Sequence, residues 1–156
     1  MKPYADSNFF TRFYLHFPDS EIATGLLQGV VEQIETPISV TWLHRMEVIN
    51  AFQQQIYSSQ VYEQPRITSE QAAIAQARFR EDLVRANFLR PIILNQEELL
   101  TQVEDLSLRH TARHGFRIYD VIHVASALLL ECDTFWSFDA KACRLAALEG
   151  LKLAKR

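Results

Sequence analysis

Cysteine is scarce: the chain has two, Cys132 and Cys143, and neither lies in a C-x-x-C pair or beside a histidine cluster. That leaves no basis for a disulfide framework or a zinc site, and both read as small core residues in a reducing compartment. Positive charge is not in excess either. A net charge of −3 provides no global basic footprint, so any contact with nucleic acid has to come from a local patch. No apolar run is long and unbroken enough to span a bilayer, and the opening Met-Lys-Pro-Tyr-Ala-Asp lacks the apolar core of a signal peptide. The expectation is a cytoplasmic protein with no membrane association. Low-complexity segments, internal repeats and linkers are also missing, which argues against disorder and against several domains. What is present, 48% apolar residues in a chain of 156, is enough for one domain with a true core, residues 1–156.

The pattern alternates strands and helices. Lys2 to Asp6 reads as a short strand with Pro3 at its start, where a missing donor is tolerated, and Phe9 to Leu15 as a helix. A second helix is expected from Pro18 to Gln33, with Leu26, Leu27, Val30 and Val31 inward, followed by a strand from Thr36 to Val40. Thr41 can cap the next helix, whose apolar stripe is read as Trp42, Met46, Ile49 and Phe52. Tyr57 to Arg66 is a polar connection. Thr68-Ser-Glu-Gln71 has the form of a capping box and opens a helix to about Asn87, with Ile74, Phe79 and Leu83 inward. Arg90 to Leu94 is a third strand. Asn95 caps a helix that runs to about His114 and stops near Gly115. The most apolar stretch follows: a helix from Ile118 to Leu130, packed on most of its sides, and a strand from Thr134 to Phe138. A last helix, Ala140 to Glu149, and a short strand from Leu151 to Ala154 close the chain. Such alternation predicts an α/β fold: a central, mostly parallel sheet of four to five strands with helices on both faces.

Four acids stand out against this background. Asp6 and Asp139 directly follow strands, at the edge where parallel sheets gather ligand-binding residues. Asp120 opens the most apolar helix, and Glu47 lies about a turn and a half into its own, at ~3.6 residues per turn. Alone, Asp6 is best read as a helix N-cap and Glu47 as a solvated glutamate. Together, four carboxylates in one small volume are tenable only with cations or raised pKa values. Oxygen-only ligation suits Mg²⁺ or Mn²⁺ better than zinc. Arg109, Arg113 and Arg117, with His110 and His114, form the one concentrated basic patch and are candidates for holding an RNA backbone; a solvated helix end explains them nearly as well. His123, flanked by Ile122 and Val124, is read as a satisfied core histidine and left out of the metal site. Phe9, Phe10, Trp42 and Tyr119 are candidate base-stacking surfaces.

Asp6-Ser7-Asn8 after the first strand, W-L-H-R-M-E-V-I-N-A around Glu47, Y-D-V-I-H-V-A-S-A from Tyr119, and Trp136-Ser137-Phe138-Asp139 followed by L-A-A-L-E-G-L resemble, in order and spacing, the PIN-domain ribonucleases. In particular they are similar to the VapC-like toxins of toxin–antitoxin pairs, over essentially the whole chain. The resemblance implies a single PIN-like domain and a Mg²⁺- or Mn²⁺-dependent endoribonuclease with Asp6, Glu47, Asp120 and Asp139 as its acidic site. It further implies Asn8 and Ser137 as accessory polar residues, a homodimer, and an antitoxin partner that blocks the acidic groove. The opening strand, with Lys2, Pro3 and Tyr4, is less aliphatic than the family's. Competing readings are a PIN fold that binds RNA or protein without cutting, a housekeeping RNA-processing nuclease, and a metal-free domain whose acids are caps and surface charges. A haloacid-dehalogenase-type phosphatase would need a second aspartate where Asn8 stands.

Overall fold

The computed structural model describes residues 1–15, 17, 20–33, 37–62 and 67–154. The expected helix start at Pro18, the strand residue Thr36, the Pro65 connection and the side chains of Val30 and Val31 lie outside the described residues. The chain packs as two compact units, one formed by Met1–Asp6 with Ile93–Arg156, the other by Ser7–Ile92.

The first unit contains β1 (Pro3–Ala5), α5 (Gln96–Leu106), a π-helical turn (Ser107–Thr111), α6 (Ala112–His114), α7 (Ile118–Leu129), β4 (Thr134–Trp136), α8 (Ala140–Leu148) and β5 (Lys152–Leu153). Its sheet is parallel, in the order β1-β4-β5, with Ala5 opposite Trp136 and Phe135 opposite both Tyr4 and Leu153. Pro3 stands at the first position of β1, as its missing N–H requires. Tyr4, Phe135 and Trp136 are almost completely buried, and the Tyr4 and Phe135 rings stack at 5.7 Å. α7 packs against both α5 and α8, which is why Val121, Val124, Ala125 and Ala127 are buried together with the polar Asp120, His123 and Ser126. α5 is capped by Asn95, whose Oδ1 accepts from the amides of Glu97 and Glu98. The run from α5 ends at Gly115, whose φ of +66° is costly for any residue with a Cβ.

The second unit contains α1 (Ser7–Tyr14), α2 (Ser20–Gln33), β2 (Ile38–Val40), α3 (Trp42–Val61), α4 (Ser69–Arg85) and β3 (Leu89–Pro91). β2 and β3 pair in parallel with Ile38 opposite Leu89, and the ladder extends one bond further, from Ile92 N–H to Val40 O at 3.0 Å. Aromatic contacts hold its interior: Phe10 lies edge-on to Phe9 and to His44, and Tyr14 edge-on to Phe79. The Tyr14 hydroxyl donates to Asp82 Oδ2 at 2.6 Å. The Thr68 box forms in full, with Gln71 N–H to Thr68 Oγ1 and Thr68 N–H to Gln71 Oε1.

The α/β class and the parallel pairing match the expectation, but among the described residues the strands do not make one sheet of four to five. They divide into sheets of three and two, because strand partnership depends on long-range packing that local pattern does not encode. Two helical faces also differ. The buried face of α3 is Leu43, His44, Val48 and Phe52, while Trp42 is 50% and Met46 57% exposed. The observed face is rotated from the expected stripe by about one residue and includes the polar His44. α4 buries Ala72, Ala75 and Phe79 and leaves Ile74 exposed, since small alanines allow the close approach that the larger isoleucine would prevent. α3 also continues through Tyr57 to Val61, a turn into the expected connection.

Candidate acidic site

α7 opens with Arg117 at its N-cap and Asp120 three positions further on. That spacing folds the carboxylate back over the first turn, where the Arg117 N–H donates to Oδ2 at 3.3 Å. The guanidinium of the same arginine closes on Asp120 as a fork, Nε to Oδ2 at 3.0 Å and Nη2 to Oδ1 at 3.1 Å. Nη2 also donates to Asp139 Oδ2 at 2.6 Å. One nitrogen therefore joins the two aspartates. The Asp120 side chain is 9% exposed and that of Asp139 27%, against 60% for Arg117. The anions sit low and the cation that pairs them faces water.

Asp139 does two jobs. Its Oδ1 caps α8, accepting from the amides of Lys141 at 2.8 Å and Ala142 at 3.2 Å, and only Oδ2 faces Arg117. Burial pushes its carboxyl upward, but the two amides and Arg117 outweigh it and hold the group below the ordinary aspartate range. Arg117 is held still more firmly protonated by its bonds to Asp120 and Asp139. The helix N-termini add favourable partial charge for both carboxylates.

Asp6 is 4% exposed, and its N–H donates to Trp136 O at 3.0 Å, one step beyond the Ala5–Trp136 pair. It therefore leaves the sheet beside Ser137, two residues before Asp139. Ser137 turns the chain there: its Oγ accepts from Asp139 N–H at 2.8 Å, and the expected strand through Phe138 stops at Trp136. Glu47 is half-buried on α3 of the second unit. Asn8, also in that unit, accepts from Arg12 Nη1 at 2.9 Å through its Oδ1.

The basic patch is largely committed to acids. Arg109 binds Asp105 and, through both terminal nitrogens, Glu149, and His110 Nε2 lies 2.6 Å from the same glutamate. Arg117 holds the two aspartates, and Arg113 is exposed. Glu149 and the counter-ion role of Arg117 are what sequence reasoning missed; an arginine three residues before a buried aspartate was the available signal. His123 is 4% exposed with Nδ1 2.9 Å from the Tyr4 hydroxyl, the satisfied core histidine expected. Phe9 and Phe10 are fully buried and offer no stacking surface. Tyr119 is exposed, and Trp42 lines a cavity of about 440 Å³ with Arg45, Met46, Ile49, Phe79, Arg80 and Leu83.

Among the described residues, no three His, Cys, Asp or Glu side chains are grouped to hold a metal ion. The chemistry of Asp120 and Asp139 nonetheless fits a hard cation: two carboxylates already converge on one positive group, with oxygen donors only. Also among the described residues, no helix is long and apolar enough to cross a membrane.

No protein-family model matches the chain, and no curated protein sequence is significantly similar to it. Among solved structures it is similar to Mycobacterium tuberculosis VapC20, a toxin that cleaves the sarcin–ricin loop. The TM-score is 0.62, over 91% of this chain and 93% of that one, at 11% identity. At that identity the likeness is one of fold, and the fold is PIN-like α/β.

Proposed function

We propose that this chain is a cytoplasmic endoribonuclease that hydrolyses RNA phosphodiester bonds at Asp6, Glu47, Asp120 and Asp139 with Mg²⁺ or Mn²⁺. The observation that supports this most is the pairing of Asp120 and Asp139 on one positive group beside the strand end that carries Asp6. Glu47 enters the proposal on the sequence pattern alone. When bound, a divalent ion would supply an activated water and relief of the charge developing on the phosphoryl oxygens. Asp120 would offer both of its oxygens and Asp139 its Oδ2, since Oδ1 is committed to the cap of α8. Ser137 positions Asp139 through the backbone. Arg113, which is exposed, and Arg117 are the proposed phosphate contacts; Arg109, bound to two acids, would need to exchange partners to join them.

The likeness in fold to a toxin, together with the motif resemblance, supports the finer reading that this nuclease is the toxin of a toxin–antitoxin pair, a homodimer blocked by its antitoxin. A second reading, a PIN fold that binds RNA without cutting, is favoured by the arginine that already neutralises two of the acids. Cleavage of labelled total RNA in Mg²⁺ or Mn²⁺ by Asp6→Asn, Glu47→Gln, Asp120→Asn and Asp139→Asn separates the two. The nuclease reading expects each folded variant to lose roughly a hundredfold or more. Folded variants that cut as fast as the wild type would refute the assigned site. Growth arrest on expression of the wild type, relieved in Asp120→Asn, tests the toxin role.

A further inference from the structure

Among the described residues, Arg117 is the side chain that holds Asp120 and Asp139 together, and it does so from the solvent side. Asp120 is buried and Asp139 half-buried beside it, so keeping both ionised is costly without a positive partner. An exposed arginine supplies one that is easily given up, because its ion pairs are weak and its long side chain can return to water. Its contacts use both oxygens of Asp120 and the one oxygen of Asp139 not spent on the cap. Those are the oxygens a hard cation would take. The guanidinium and such a cation would therefore compete for the same oxygens.

We propose that Arg117 is a resident counter-ion that competes with the divalent metal for Asp120 and Asp139, and is released toward solvent when the metal binds. The inference rests on the metal-site reading of the preceding subsection and adds a role for this chain's own arginine. Arg117 keeps the two carboxylates close and ionised before metal arrives, at the cost of weakening metal binding. Release frees a cation at the site edge, so metal and an RNA phosphate would reinforce each other's binding by linkage.

The experiment is calorimetric titration of Mn²⁺ into wild type, Arg117→Gln, Arg117→Lys and Asp120→Asn, with folding checked by circular dichroism. In parallel, the Arg117 Nε–H resonance of the wild type is followed as Mg²⁺ is added. The proposal expects Arg117→Gln to bind Mn²⁺ about fivefold more tightly or better, Arg117→Lys to stay nearer the wild type, and the Nε–H signal to shift on Mg²⁺ addition. Should Arg117→Gln fail to fold, the lysine variant and the resonance carry the test. Unchanged or weaker binding by Arg117→Gln, with binding still lost in Asp120→Asn, would overturn the competition while leaving the metal site standing. Equal Mn²⁺ binding by wild type and Asp120→Asn, or none by either, would overturn both.

Discussion

Replacing Asp139 separates structure from chemistry, because its two oxygens have different partners. Asp139→Ala removes the cap of α8, whose two amides lie 2.8 and 3.2 Å from Oδ1, and the bond from Arg117 to Oδ2. Loss of an aspartate cap costs about 1 kcal/mol. The ion pair adds about 0–1 kcal/mol, because the arginine is 60% exposed. The alanine variant should thus lose about 1–2 kcal/mol, a fall in Tm of roughly 2–8 °C for a chain of this length. Asp139→Asn keeps an oxygen for the amides and gives up only the charge, so it should lose less than about 1 kcal/mol. Its cleavage of RNA should nevertheless disappear. Acid should erase the gap between aspartate and asparagine. The folded carboxyl titrates below its unfolded value of about 3.9, so its contribution is complete above that pH and is lost as pH falls through the folded value. Scanning fluorimetry between pH 3 and 8 and a gel assay of RNA cleavage read both quantities. An asparagine variant as unstable as alanine would refute the cap argument, and one that cuts at the wild-type rate would refute the chemical one.

Other consequences are local. Tyr4→Phe removes the hydroxyl from a fully buried pair with His123 and should cost about 1–2 kcal/mol in urea unfolding; no change would mean that the bond contributes nothing net. Ala86 ends α4 in the left-handed region at φ +53°, so Ala86→Gly should raise Tm, by up to about 1 kcal/mol of relieved strain, and a drop would show the strain argument to be wrong. Burial pushes the Cys132 thiol up to about 11, whereas Cys143 is only half-buried. A thiol reagent at pH 8 should therefore label Cys143 first, and faster labelling of Cys132 would contradict the packing around it.

What the sequence made legible was local. Pro3 at a strand start, the Thr68–Gln71 box, the Asn95 cap and the Gly115 stop each depend on residues within a turn of one another, and all appear as expected. The placement of Asp6 and Asp139 after strands followed from the same short-range alternation. Readings that depended on distant partners fared less well. The division of the strands into sheets of three and two depends on long-range pairing. The face of α3 turns on a buried histidine whose Nδ1 accepts from Thr41 N–H, a cost that composition would have placed at the surface. Arg117 was legible as a basic residue but not as the group that joins two acids, because Asp139 lies 22 residues further along the chain.

The central claim is that these acids serve a metal-dependent nuclease. The most direct measurement is cleavage of a uniformly labelled RNA by the purified wild-type protein, in Mg²⁺, in Mn²⁺ and in EDTA. The account predicts discrete internal fragments with either metal and intact RNA in EDTA, restored to cleavage when metal is added back. Fragments that persist unchanged in EDTA, or RNA that is bound but remains whole in both metals, would contradict it.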